Sequence, residues 1–163
     1  VVAVADSMQA SLPVADTAIA AGIESARIAG RFERFNVGAV EWIFDVAHNP
    51  AAAKLFYEAV AELPPVACTI AVFGAMADKD IEQVVYRFVP GVDAWFVGAI
   101  DSDRGADPQH LALLLTRLGA RDVSTYTDMA TAARAARAAP ADRVLAFGSF
   151  YAVGPSLDAV GLY

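Results

Sequence analysis

Val40-Glu41-Trp42-Ile43-Phe44-Asp45-Val46-Ala47-His48-Asn49-Pro50 reads as a strand that runs directly into a helix. Val40 to Asp45 carries the β-branched and aromatic side chains that suit a pleated surface. Asn49 is a favoured N-cap. Pro50 suits the first helical position, where no backbone N–H is needed. Strand followed by capped helix is the repeating unit of a parallel α/β sheet, and the chain downstream repeats it.

The first helix carries Leu55, Phe56 and Val60 and stops before Pro64-Pro65. The apolar run 66–73 predicts a strand buried on both faces. A second helix begins near Asp78–Asp80 and bears Ile81, Val84, Val85 and Phe88. Strand 93–98 follows. Asp107-Pro108 then opens a third helix with Leu111, Leu114, Leu115 and Leu118 at helical spacing, ending at Gly119. Strand 121–126, an alanine-rich helix 128–138, strand 142–147 and a turn at Gly148-Ser149 complete the series. Upstream, 31–35 alternates as a strand and Asn36-Val37-Gly38 is turn chemistry, so an antiparallel hairpin enters the sheet. Residues 1–27 read as helix, broken at Leu12-Pro13, with Asp16 as an N-cap. The expected fold is a doubly wound, Rossmann-like α/β domain. Its six-stranded sheet is mostly parallel, with one antiparallel N-terminal strand and helices on both faces.

Composition narrows the function. The chain has 163 residues, 57% hydrophobic and 19% charged, which is enough apolar material for one core and too much for disorder. The net charge is −7 and the only lysines are Lys54 and Lys79. A nucleic-acid binder needs a cationic face to displace counterions, so that class is excluded. No apolar stretch reaches the ~18–20 residues of a membrane span. One cysteine, Cys68, excludes an internal disulfide framework and a thiolate zinc cluster. It reads as a small buried hydrophobe in mid-strand, and such usage suits a reducing cytoplasm. The start Val1-Val2-Ala3-Val4-Ala5-Asp6 has neither a basic run nor methionine. It is expected to be no signal peptide, and the chain to be cut from something longer.

Ligands of such sheets bind at the carboxyl ends of the strands, where the polar and glycine residues of this chain collect. Asp45 and His48 leave a strand just before a capped helix, whose dipole favours an anion. The same residues also read as a turn cap and a satisfied loop histidine. Ser149 could hold a carboxylate at a helix start, or serve as a plain N-cap. The sequence contains no Walker A loop, no G-x-G-x-x-G after a strand and no G-x-S-x-G elbow. Asp101 and Asp103 read as a solvated acidic loop rather than a metal site, and His110 as an exposed helical residue. The residues therefore suggest binding loops without a complete catalytic machine, so no catalytic residue and no metal ligand is assigned.

Four stretches occur in order: Gly30-Arg31-Phe32-Glu33, Asp45-Val46-Ala47-His48-Asn49-Pro50, Ala77-Asp78-Lys79-Asp80 and Gly148-Ser149-Phe150-Tyr151. In these the chain resembles, over about 28–157, the C-terminal domain of the bifunctional folylpolyglutamate synthase/dihydrofolate synthase family of the Mur-ligase superfamily. That resemblance implies an ATP-dependent ligase. A carboxylate is activated by MgATP as an acyl phosphate, and the amine of L-glutamate then attacks to form an amide. It implies that residues 1–28 are a helical remnant and hinge of a missing N-terminal ATPase domain, and that 29–163 is the glutamate-binding domain. By the same resemblance Arg31 and Asp45 reach the nucleotide, and His48 and Ser149 belong to the glutamate site. Asn49 and Lys79 support them, and Arg104 has no assigned role. ATP and Mg would be bound mainly by the missing domain, and dihydropteroate or a folate would be the acceptor. Ala29 stands where the family commonly has proline, and Val46 where it commonly has glycine. Two other readings stay open: a non-catalytic Rossmann-like small-ligand-binding module, and a Mur-type ligase domain for another amino acid.

Overall fold

The computed structural model describes residues 2–25 and 28–162. The expected helix over 1–27 and the expected domain to 163 therefore extend, at residues 1, 26, 27 and 163, outside the described residues. Two helices come first, α1 (Val2–Met8) and α2 (Asp16–Ser25). The Ala15 carbonyl accepts from Ala18 and Ile19, so the cap falls at Ala15 and Asp16 sits in the first turn. The sheet elements follow as β1 (Glu33–Val37), β2 (Val40–Asp45), α3 (Pro50–Ala61), β3 (Thr69–Phe73), α4 (Ile81–Val85), β4 (Ala94–Gly98), α5 (Pro108–Arg117), β5 (Val123–Tyr126), α6 (Met129–Ala138), β6 (Arg143–Phe147) and α7 (Phe150–Ala159). A single 3-10 turn, Val89–Gly91, precedes β4.

The six strands lie in the order β1-β2-β6-β3-β4-β5. Only β1 and β2 pair antiparallel; β2, β6, β3, β4 and β5 are parallel. The expected doubly wound α/β fold is therefore present. From β2 to β5 the chain steps in one direction across the sheet, and α3, α4 and α5 bury Phe56, Val85 and Leu111 against one face. It then reverses to place β6 between β2 and β3. The reversal puts α6 and α7, with Met129, Ala132 and Leu157, on the other face, as crossovers of constant hand require. Side chains along each strand alternate between the two cores: Ile43, Phe73, Trp95 and Phe147 face α3–α5, while Trp42, Phe44, Val72 and Val144 face α6–α7.

Beyond shifts of one or two residues at the starts of β4, β5 and β6, the strand boundaries at the hairpin and at β3 differ from the sequence reading for visible reasons. The hairpin starts later than expected: Arg31 and Phe32 form a turn, with Phe32 at φ +46, and Asn36 and Val37 stay in β1. The reversal is made by Gly38-Ala39, with Gly38 at φ +65 and Val37 paired to Val40. The expected strand 66–73 begins only at Thr69. The N–H groups of Ala67 and Cys68 donate to the Asp142 carboxylate at 3.0 and 2.9 Å, so a side chain takes the bonds a neighbouring strand would have used. Cys68 is accordingly half-buried and precedes the strand rather than lying within it. Its thiol donates to the Pro140 carbonyl at 3.4 Å.

Phe147 is the hub of the α3–α5 face. Its ring meets Phe56, Phe73, Phe88 and Trp95 with centroids 4.7–6.1 Å apart. Gly148 follows at φ +115. A Cβ there would stand 2.7 Å from the Phe73 ring and closer still to the Gly74 carbonyl oxygen. We expect Phe147→Ala to cost about 3–5 kcal/mol, read by urea unfolding, because no neighbour can refill the centre of the cluster. Gly148→Ala should cost about 2–3 kcal/mol through backbone strain and contact. A loss below ~1 kcal/mol in both variants contradicts this assignment of the core.

Candidate functional site

The carboxyl edge of the sheet holds the polar loops. Asp45 of β2 and Phe147 of β6 are register partners, as are Phe147 and Phe73 of β3. The loop 45–50, the turn 148–149 and the loop from Gly74 to Asp80 therefore leave three adjacent strands side by side. Asp45, His48 and Ser149 are brought to one end of the β2–β6 pair. Lys79 lies beyond β6, on the loop that follows β3.

The Gly30–Glu33 turn is tied to this edge by two bonds and closed by a third within itself. Val46 N–H donates to the Gly30 carbonyl at 2.8 Å. Phe32 N–H donates to Asp45 Oδ2 at 2.9 Å, and Gly30 N–H to Glu33 Oε2 at 2.6 Å. Gly30 at φ +69 packs on the fully buried Val46, whose Cγ1 would lie 2.9 Å from a Cβ at position 30. The turn holds Arg31 out, exposed, with its guanidinium carbon 6.0 Å from the centre of the Phe150 ring. Arg31 and Asp45 together border a cleft of about 300 Å³, walled by Phe32, Ala52, Leu55 and Phe56. Asp45 is thus the turn cap that one reading of the sequence allowed, and it also lines the cleft. Burial holds its carboxyl above the ordinary value, against the pull of the Phe32 N–H and the Arg31 charge.

His48 is half-buried, with Nδ1 2.9 Å from the Val46 carbonyl. A carbonyl only accepts, so Nδ1 carries the hydrogen and Nε2 is the free end of the ring. Nε2 accepts in the neutral ring and donates only in the imidazolium. Asn49 caps α3 through Oδ1, which accepts from Ala52 N–H at 2.9 Å; its part is to fix the helix start. Ser149 is buried, and its hydroxyl oxygen accepts from Tyr151 N–H at 3.1 Å as the N-cap of α7. The Ser149 O–H hydrogen stays available to an acceptor at that helix start.

Lys79 Nζ lies 3.2 Å from Asp78 Oδ2, which also takes Arg104 Nη2 at 2.8 Å. These two hydrogen bonds hold the exposed Asp78 carboxyl below its ordinary value. The same two loops are joined by Ala77 N–H to the Arg104 carbonyl and Ala106 N–H to the Ala75 carbonyl, each 2.8 Å. This clasp and the seat of Arg31 on Phe150 escaped the sequence reading. The acidic and basic residues were visible in A-D-K-D and at Arg104, but no spacing pairs residues 26 apart. Among the described residues, no group of three or more His, Cys, Asp or Glu could hold a metal ion. No helix among them is long and apolar enough to cross a membrane.

Comparison with known proteins identifies the family of this fold. Residues 30–150 match the family described as Mur ligase, glutamate ligase domain. The chain is 34% identical over 149 residues to the dihydrofolate synthase/folylpolyglutamate synthase of Escherichia coli, covering 91% of this chain and 34% of that protein. The structure of E. coli FolC in complex with DHPP and ADP superposes with a TM-score of 0.82 at 32% identity, over 92% of this chain and 35% of that one. A bifunctional folylpolyglutamate synthase/dihydrofolate synthase with Mn, AMPPNP and L-glutamate bound gives a TM-score of 0.80 at 31% identity, over 92% and 36%. The chain thus spans about a third of the length of these relatives.

The folded state binds the Asp45 proton more tightly than the unfolded chain does. Its contribution to stability is therefore full below the ordinary aspartate pKa and is lost as pH rises through the raised value. Asp45→Asn keeps an acceptor for Phe32 and cannot titrate. Urea unfolding between about pH 3.5 and 6.5 should show the wild type losing stability relative to this variant as pH rises. A pH-independent difference overturns the assignment.

Proposed function

This chain belongs to the Mur ligase family, in its glutamate ligase domain, and from that premise we propose that it is the C-terminal, glutamate-binding domain of an ATP-dependent amide ligase acting on dihydropteroate or a folate. In such a ligase MgATP supplies the phosphoryl group that turns the acceptor carboxylate into an acyl phosphate; the glutamate amine displaces inorganic phosphate and an amide forms. The observation that carries the reading is the register of β2 with β6. It sets the D-V-A-H-N-P loop and the G-S-F-Y turn side by side, at the edge where Arg31 stands over Phe150.

Each residue has chemistry that suits its proposed part. Arg31 is exposed on a clamped turn, and its planar fork neutralises phosphate oxygens. Asp45 beside it accepts hydrogen bonds from a ribose or an amine. His48 Nε2 and the Ser149 hydroxyl meet the substrate glutamate, Ser149 at the positive end of α7. Lys79 supports the site from the loop after β3, beside the Asp78 that Arg104 clasps. Mg is carried with the nucleotide by the preceding domain. Residues 1–28 are the end of that domain and the hinge. Val4 and Met8 of α1 and Ile23 of α2 are exposed, as expected of helices that pack on a neighbour. We place the enzyme in the cytoplasm.

The 163-residue chain by itself should form no amide from ATP, L-glutamate and dihydropteroate, because half of the water-excluding site is missing. The complete gene product should do so. In it, His48→Ala and Ser149→Asp should each raise the glutamate KM by about tenfold or more and change the ATP KM little. Aspartate still caps α7, so Ser149→Asp separates carboxylate binding from helix capping. Arg31→Ala should instead act on ATP use. Variants indistinguishable from wild type, or a complete gene without a phosphate-binding G-x-x-x-x-G-K-[ST] element, overturn the reading.

A further inference from the structure

At the opposite edge of the sheet, beneath the strand starts, lies a cavity of about 330 Å³. It exists because α3 ends at Ala61 and the Pro64-Pro65 segment leads the chain away before the first residues of β3 and β6 are covered. Tyr57, Val60, Leu63, Phe88 and Val92 wall it, with Leu145 and Arg143 from β6 between them. Its size lies at the low end of the range for small-molecule sites.

Arg143 is the unusual member, an arginine only 5% exposed. Its Nε donates to Glu41 Oε2 at 2.7 Å and its Nη2 to the Pro64 carbonyl at 3.1 Å. Nη1 has no hydrogen-bond partner among the described residues. Glu41 is also shared: Arg34 Nε donates to its other oxygen, Oε1, at 2.8 Å. One carboxylate therefore serves two guanidinium groups, and Arg143 keeps donors that no carboxylate takes. The carboxylates of Asp93 and Asp142 are engaged elsewhere, on the N–H groups of Thr69, Ala67 and Cys68. Neither lines the cavity. A cation with a shared counterion and spare donors in an apolar pocket is costly unless an anion completes it.

We propose that this cavity is a second ligand site, separate from the carboxyl edge, for a small monocarboxylate carrying an apolar body. The carboxylate sits on the Arg143 fork, and the hydrocarbon or aromatic part lies against Tyr57, Phe88 and Leu145. The unpartnered Arg143 nitrogen selects a carboxylate, and the apolar walls select against a bare inorganic anion. The inference stands apart from the ligase reading, since it uses none of the residues assigned there.

Phenylacetate is a suitable probe, with phenylacetamide lacking its charge and acetate lacking its ring. Titrated into the ¹⁵N-labelled 163-residue chain, phenylacetate should give saturable shifts centred on the amides of Val66, Gly91 and Leu145, with a Kd in the millimolar range or tighter. Both controls should bind about tenfold more weakly or worse. Arg143→Lys keeps the charge and loses the fork, and should weaken binding by a similar factor. Val66→Trp, at the half-exposed mouth, leaves the Glu41 cluster intact and should abolish binding in a chain that keeps its dispersed spectrum. It decides the matter should Arg143→Lys fail to fold. Equal binding of phenylacetamide, shifts confined to 45–50 and 148–151, or no saturable shift at the three amides overturns the proposal.

Discussion

The pairing of β6 with both β2 and β3 is the constraint on which the structure depends. β6 is the last strand in sequence and lies in the middle of the sheet. Before residues 143–147 arrive, the β1–β2 hairpin and the β3–β4–β5 sheet have no ladder between them. Its five residues are all buried, and they contribute to both cores. Phe147 and Gly148 end the strand with a large ring and no side chain. The ring fills the space between β3, β4 and the helices above. The missing Cβ lets the backbone pass close to Gly74. Long-range pairings of this kind are paid for in loop-closure entropy before they reward the chain, so they make folding slow and the finished sheet cooperative.

The polar edge follows from the same constraint. Once β6 is seated, the D-V-A-H-N-P loop and the G-S-F-Y turn must be neighbours. What remains is to hold each side chain still. Asp45 does so for the Gly30–Glu33 turn, Asn49 for α3 and Ser149 for α7. Residues that sequence patterns suggest for ligand contact are here also the residues that cap local structure. The two parts are compatible, because a capping oxygen fixes the side chain and leaves a second polar atom or lone pair for a ligand. Val46 shows the coupling to packing. Its buried methyl group closes directly on Gly30.

Charge at the other edge is arranged differently. Asp142 and Asp93 order the approach to β3 by taking backbone N–H groups that no strand supplies. Glu41 divides itself between Arg34 and Arg143, and its carboxyl is held below the ordinary value by those two guanidinium groups despite the opposing effect of burial. Cys68 lies among these carboxylates, and its thiol is pushed up by burial and by Asp93 and Asp142. That environment disfavours the thiolate.

Helix starts were legible from the sequence because they are local. Asn49-Pro50, Asp80 and Asp107-Pro108 place their side-chain oxygens on N–H groups two or three residues away. The alternation of strand and helix, the mostly parallel sheet and the four motif stretches were determined in the same way, since period and cap chemistry lie within a few residues. Other features belong to the tertiary structure alone. The start of β3 depends on Asp142, 74 residues from Cys68. The clasp of Arg104 on Asp78 joins two loops. The seat of Asp45 against Phe32, which adopts a left-handed backbone there, also joins residues far apart in sequence. Each pairs groups far apart in the chain, and no residue-by-residue pattern encodes a partner that only strand order brings near.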